Sequence, residues 1–107
     1  MIKDKEYIKE CDCKEIQTLK EWNPYNNWVP TGDELDDEIE KTCKGKYERH
    51  NWNYYRTSGI DASMRMRYYA YIADNQDRPI VGDTCAIFTN RNIAKIKLLK
   101  QILKESV

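Results

Sequence analysis

Few side chains in this sequence have the chemistry of a catalyst. The single histidine, His50, stands in the run ERHNWN. A metal-dependent nuclease with a His-Asn-His core needs more histidine than this. There is no G-x-S-x-G and no glycine-rich loop to cradle a phosphate; the four glycines are scattered. A Ser/His/Asp or Cys/His arrangement assembled by the fold stays open, but nothing local flags one. Of the four cysteines, Cys11 and Cys13 form C-x-C, while Cys43 and Cys85 stand alone. Zinc sites pair their ligands at C-x-x-C or Cys/His spacings. No metal and no cofactor is therefore expected, and Cys43 and Cys85 read as small core residues. The expectation is a non-enzymatic protein.

Two charged constellations point instead to binding. The first is acidic: Asp33, Glu34, Asp36, Asp37, Glu38 and Glu40 crowd one short segment. Such a patch can take the place of phosphates in a cationic groove and speed association by steering. Dipole complementarity at a helix start accounts well for Asp33 and Glu34 and less well for Glu38 and Glu40. The second is basic and aromatic: Arg65, Arg67, Tyr69 and Tyr71 alternate within MRMRYYAYIA. On a strand they share a face that can pair phosphates and stack bases, with Arg49, Trp52 and Arg56 extending it from a neighbouring strand. The bland alternative is a solvated sheet face steadied by cross-strand pairs.

The formal net charge is zero, yet it is unevenly placed. Residues 1–41 hold six Lys/Arg and twelve Asp/Glu; residues 42–107 hold twelve Lys/Arg and six Asp/Glu. That asymmetry points to charged partners, or to two halves that pair with each other. No run of about 18 apolar residues suggests a membrane span. The opening MIKDKEYIKE lacks an apolar core, so a signal peptide is not expected and a cytoplasmic setting follows.

The elements that must position these residues fit one domain of 107 residues. Residues 1–22 read as a helical segment broken near Cys11–Cys13, with Ile8, Cys11, Ile16, Leu19 and Trp22 as its apolar side. Residues 23–31 are loop, rich in Pro and Asn. Thr31 and Glu34 form a capping box for an acidic helix over 32–44, with Leu35, Ile39 and Cys43 as its seam and Gly45 as its stop. A three-stranded sheet is expected over 46–89. Its first strand runs from Tyr47 to Arg56, TSGID (57–61) is a turn, and Met64, Met66, Tyr68, Ala70 and Ile72 face the core. The third strand is Ile80–Thr89, with a bulge at Gly82. A last helix over 91–105, capped by Asn90, carries Ile93, Ile96, Leu99, Ile102 and Leu103 on one face and Lys97, Lys100 and Lys104 at its edge. The fold class is α+β, in the order α-α-β-β-β-α, with helices packed on one face of the sheet.

Two resemblances bear on function. The α-β-β-β-α order of residues 32–105 resembles a double-stranded RNA-binding domain, whose last helix carries lysines toward the phosphates. That family's Gly-rich turn and Lys-Lys-x-Ala-Lys helix start are missing; FTNRNIAKIK offers only Arg91, Ala94 and Lys95 in comparable places. The opening KEIQTLKEWNPYNNWVPTGDEL is similar to small uncharacterised phage and prophage proteins. Glu15, Ile16, Gln17, Trp22 and Pro24 match their Glu-Ile-Gln-x-x-Trp-x-Pro element with two extra residues before Trp22. Trp28, Val29, Pro30 and Leu35 match a second element. The resemblance implies a mobile-element origin, and small phage accessory proteins without catalytic motifs, anti-CRISPR proteins among them, work by binding a host protein. The leading expectation is thus an inhibitor of a host nucleic-acid-handling protein such as a CRISPR effector. It would bind through Asp33, Glu34, Asp36, Asp37, Glu40, Trp52, Tyr69 and Tyr71. The alternative is a direct nucleic-acid binder using Arg49, Arg56, Arg65, Arg67, Lys97, Lys100 and Lys104.

Overall fold

The capping box at Thr31 forms as the sequence predicts. Thr31 Oγ1 accepts from the Glu34 amide at 3.2 Å, and the Glu34 carboxylate accepts from the Thr31 amide at 3.0 Å. In the computed structural model, which describes residues 5–19, 28–47, 51–82, 88 and 90–104, seven elements follow one another. They are α1 (Lys5–Cys11), α2 (Lys14–Gln17), α3 (Gly32–Lys46), β1 (Asn53–Ile60), β2 (Met66–Ala73), β3 (Pro79–Gly82) and α4 (Arg91–Lys104). The strands form one antiparallel sheet in the order β1-β2-β3. The α+β class is as expected. Trp22, Pro24, Arg49, His50 and Cys85 lie outside the described residues.

The helix α4 is the centre of the packing. It lies against β2 and β3 and also against α1, α2 and α3. Its expected single apolar face, Ile93, Ile96, Leu99 and Ile102, is buried, but so are Ala94, Lys95 and Leu98. Burial on more than one side follows from having a sheet and other helices around it. From α3 come Leu35, Ile39 and Cys43; from α1 and α2 come Tyr7, Cys11 and Ile16. Ile8, expected in the core, is exposed, and Tyr7 takes its place, its hydroxyl donating to the Pro30 carbonyl. Gly45 does not end α3. The helix runs on to Lys46, whose ammonium donates to the last-turn carbonyls of Ile102 and Leu103 at 2.7 and 3.1 Å.

The sheet begins later than its sequence suggests. TSGI (57–60) is strand, not turn, and pairs in register with Met66–Tyr69. The turn is Asp61–Arg65. Asp61 Oδ1 accepts from the Ser63 and Arg65 amides at 2.8 and 3.0 Å, and Met64 takes a left-handed φ of 63°. Asp74–Arg78 is built the same way. Asp74 Oδ1 accepts from the Gln76 and Arg78 amides, and Asp77 takes a φ of 59°. An aspartate at the head of each loop thus supplies the turn that a glycine would otherwise mark. The alternation in β2 has the expected parity, with Ala70 and Ile72 buried and Tyr68 packed against the core. Met64 and Met66 are exposed, because the hairpin extends past the helices that cover its other end. The bulge near β3 lies at Ile80, since Ala73 pairs with Pro79 while Ile72 pairs with Val81. Gly82 sits beside it at φ 100°; a Cβ there would meet the Tyr71 backbone at 2.8 Å.

Candidate functional site

The charge asymmetry of the sequence resolves in part into internal pairing. Two carboxylates of the acidic half each take two cations of the basic half. Glu10 in α1 holds Lys97 and Lys100 of α4 at 3.2 and 2.7 Å. The Lys100 hydrogen bond, with Lys97 behind it, holds the Glu10 carboxyl below the usual carboxylate range. Asp36 in α3 holds Arg56 of β1 at 2.9 Å and Lys95 of α4 at 3.1 Å. It also accepts from the Tyr54 hydroxyl at 2.8 Å. Burial, and then that bond to Asp36, push the Tyr54 phenol well above its ordinary range. The Lys95 side chain is only 7% exposed and that of Asp36 16%. Asp36 therefore joins α3, α4 and β1, and its expected role as a free surface carboxylate is corrected. Its place beside Leu35 puts it at the margin of the core stripe, where a carboxylate needs partners.

Part of the basic constellation is likewise held internally. Arg67 donates to Asp61 at 2.6 Å, inside the hairpin's own turn. Arg56 pairs across from Ala70, so it shares the helix-side face of the sheet and not the face of Arg67, Tyr69 and Tyr71. Trp52 is half-buried against the core. Tyr71 stacks on Tyr55 at 5.2 Å between ring centroids, and Tyr55 donates to Asp77. Arg65, in the turn, and Lys104, at the end of α4, are exposed and have no carboxylate partner among the described residues.

What stays open on the acidic helix is a stripe. Asp33, Asp37 and Glu40 are exposed and have no ion pair among the described residues. Their spacing of four and three residues keeps them on one line of α3, about 10 Å long at 1.5 Å per residue. Lys44 continues that line and ends its acidity. Glu34 is turned inward, to the capping box and to the Trp28 indole at 3.3 Å.

Beside the stripe, where α3 and α4 begin, a cleft of about 370 Å³ opens between the two helices and β1. Asp33, Asp36, Arg56, Ser58, Arg91 and Lys95 line it, with Thr57 and Tyr69 from the ladder beneath. Sequence reasoning missed this cleft and its buried Lys95. A signal was present: Lys95, Leu99 and Ile102 follow at four and three residues, so this lysine falls within the apolar stripe of α4.

No group of three or more His, Cys, Asp or Glu side chains among the described residues could hold a metal ion. Among them, too, no helix is long and apolar enough to cross a membrane. Of the opening KEIQTLKEWNP, Ile16 and Gln17 have structural work. Ile16 is core, and the Gln17 amide brackets Trp28, donating to its carbonyl and accepting from its amide at 2.8 and 2.7 Å. Compared with protein-family models, with curated proteins and with solved structures, the chain matches none of them.

Proposed function

We propose that the chain is a non-enzymatic accessory protein of the phage type, docking by the carboxylate stripe of α3 onto a cationic surface that its partner uses for nucleic acid. The carrying observation is the contrast in pairing. Asp33, Asp37 and Glu40 remain exposed and unpaired among the described residues, whereas Arg56, Arg67, Lys97 and Lys100 are held by the chain's own carboxylates. One strand of duplex DNA presents a charge about every 3.4 Å of axis. The stripe presents one about every 5 Å, so a groove lined with Lys and Arg would meet a comparable, rigidly held field. A host nucleic-acid-handling enzyme in the cytoplasm, such as a CRISPR effector, is the class of partner that fits.

The test uses the immobilised protein and its Asp33→Lys/Asp37→Lys/Glu40→Lys variant against a panel of purified cationic nucleic-acid enzymes. Binding to at least one, weakened about tenfold or more in the variant at low salt, is expected. Equal binding by the two proteins would remove the stripe from the function. Direct nucleic-acid binding makes a different prediction. Arg65→Ala/Arg67→Ala would then flatten the salt dependence of binding to labelled DNA or RNA.

A further inference from the structure

We propose that the cleft at the start of α3 and α4 is a binding site for a small phosphate-bearing ligand. At about 370 Å³ it falls in the lower part of the range for small-molecule sites. Its charge is not balanced. Arg56 and Lys95 share the single carboxylate of Asp36, which leaves one positive charge in a trio of which Lys95 and Asp36 are largely buried and Arg56 is half exposed. Arg91 adds a second. Its guanidinium lies over the Tyr68 ring, 5.3 Å from the centroid, and pairs with no carboxylate among the described residues. A guanidinium over a ring and without a carboxylate partner keeps its donors for a planar or tetrahedral oxyanion. Ser58 contributes a hydroxyl that can donate to the same oxyanion. The first turn of α4 carries no acidic residue, in contrast to that of α3.

Asp33 on the rim works against an anion. With it the lining holds three cations and two carboxylates, a balance of +1. The site is therefore one of modest affinity, suited to a phosphate carrying a small organic group that fills the remaining space. The inference does not rest on the docking role of the stripe: the cleft can bind a ligand whether or not α3 meets a protein.

The test is a titration of the full chain, followed by amide NMR shifts, with inorganic phosphate, adenosine 5′-monophosphate and adenosine. Saturable shifts at residues 56–58 and 91–95 are expected with the two phosphate-bearing probes and not with adenosine. Arg91→Ala, which removes an exposed side chain, should weaken binding about tenfold. Asp33→Asn should tighten it, and Arg65→Ala, an arginine away from the cleft, should leave it unchanged. Absence of saturation, equal binding of adenosine, or an equal loss in Arg65→Ala and Arg91→Ala would overturn the assignment.

Discussion

Asp36 is the residue whose removal should cost the fold most for its size. Its carboxylate receives Tyr54, Arg56 and Lys95 within 3.1 Å. The three contributions differ in kind. The Arg56 side chain is 49% exposed, so its pair contributes about 0–1 kcal/mol. Lys95 is buried, and a buried cation left without its partner costs about 3–5 kcal/mol. The Tyr54 hydroxyl loses a charged acceptor, a bond of about 1.5–3 kcal/mol. These terms overlap, because the groups share one carboxylate and can relax together. Asp36→Ala is expected to lose about 4 kcal/mol, out of about 5–15 for a domain of this kind. With a urea slope of about 1.5 kcal/mol/M, the midpoint falls by about 2.7 M. The double variant Asp36→Leu/Lys95→Met, which removes the buried cation as well, should recover much of that loss. Urea unfolding followed by circular dichroism on the parent, Asp36→Ala, the singles Asp36→Leu and Lys95→Met, and the double measures this. A loss below about 1 kcal/mol in Asp36→Ala, or a double variant that simply adds the singles, would refute the buried hub.

Other consequences are local. Gly82→Ala should destabilise by about 1–3 kcal/mol, since φ is 100° and the new Cβ would meet the Tyr71 backbone. Gly45→Ala, in a helix with open space around it, should stabilise by about 1 kcal/mol; thermal melts of the two variants should move in opposite directions. Met64→Gly should gain about 1 kcal/mol by relieving a left-handed backbone at an exposed position. The carboxyl of Glu10 titrates lower folded than unfolded, so its contribution is complete above the ordinary value of 4.5 and is lost as pH falls through the lowered folded value. Glu10→Gln should therefore be less stable than the parent near neutrality, with the difference shrinking well below pH 4.5, as urea midpoints at the two pH values will show. Burial pushes the Cys43 thiol up to about 11, with Glu40 adding to the shift, and burial raises Cys11 as well. Iodoacetamide followed by peptide mass mapping should label half-exposed Cys13 first, and Cys11 and Cys43 only on unfolding. Labelling of Cys43 at the rate of Cys13 would contradict that burial.

The helices were more legible than the sheet, for physical reasons. A capping box and an i, i+4, i+8 seam are local, so Thr31, Glu34, Leu35, Ile39 and Cys43 define α3 without knowledge of anything else. The hairpin turn was hidden because Asp61 does by side-chain bonding what Gly59 suggested by type; the glycine drew the turn four residues too early. Parity in β2 was readable from alternation, but how far the core extends along it was not. That depends on where α4 stops covering the strands. The candidate site shows the same division. The acidic run was plain in the sequence. Which acids face outward depended on Arg56 and Lys95 meeting Asp36 from 20 and 59 residues away in the chain, and spacing says nothing of such encounters. Arg67 is the converse case, since the carboxylate that holds it lies in the neighbouring turn.

The most direct measurement of the docking role is competition for one surface. A cationic enzyme captured by the immobilised protein is challenged with its own nucleic-acid substrate over a concentration series. Mutually exclusive binding is expected, with the enzyme released as substrate saturates it and the release point rising with the amount of competing protein. A stable ternary complex of protein, enzyme and nucleic acid would contradict the proposal that the α3 carboxylates occupy the place of phosphates.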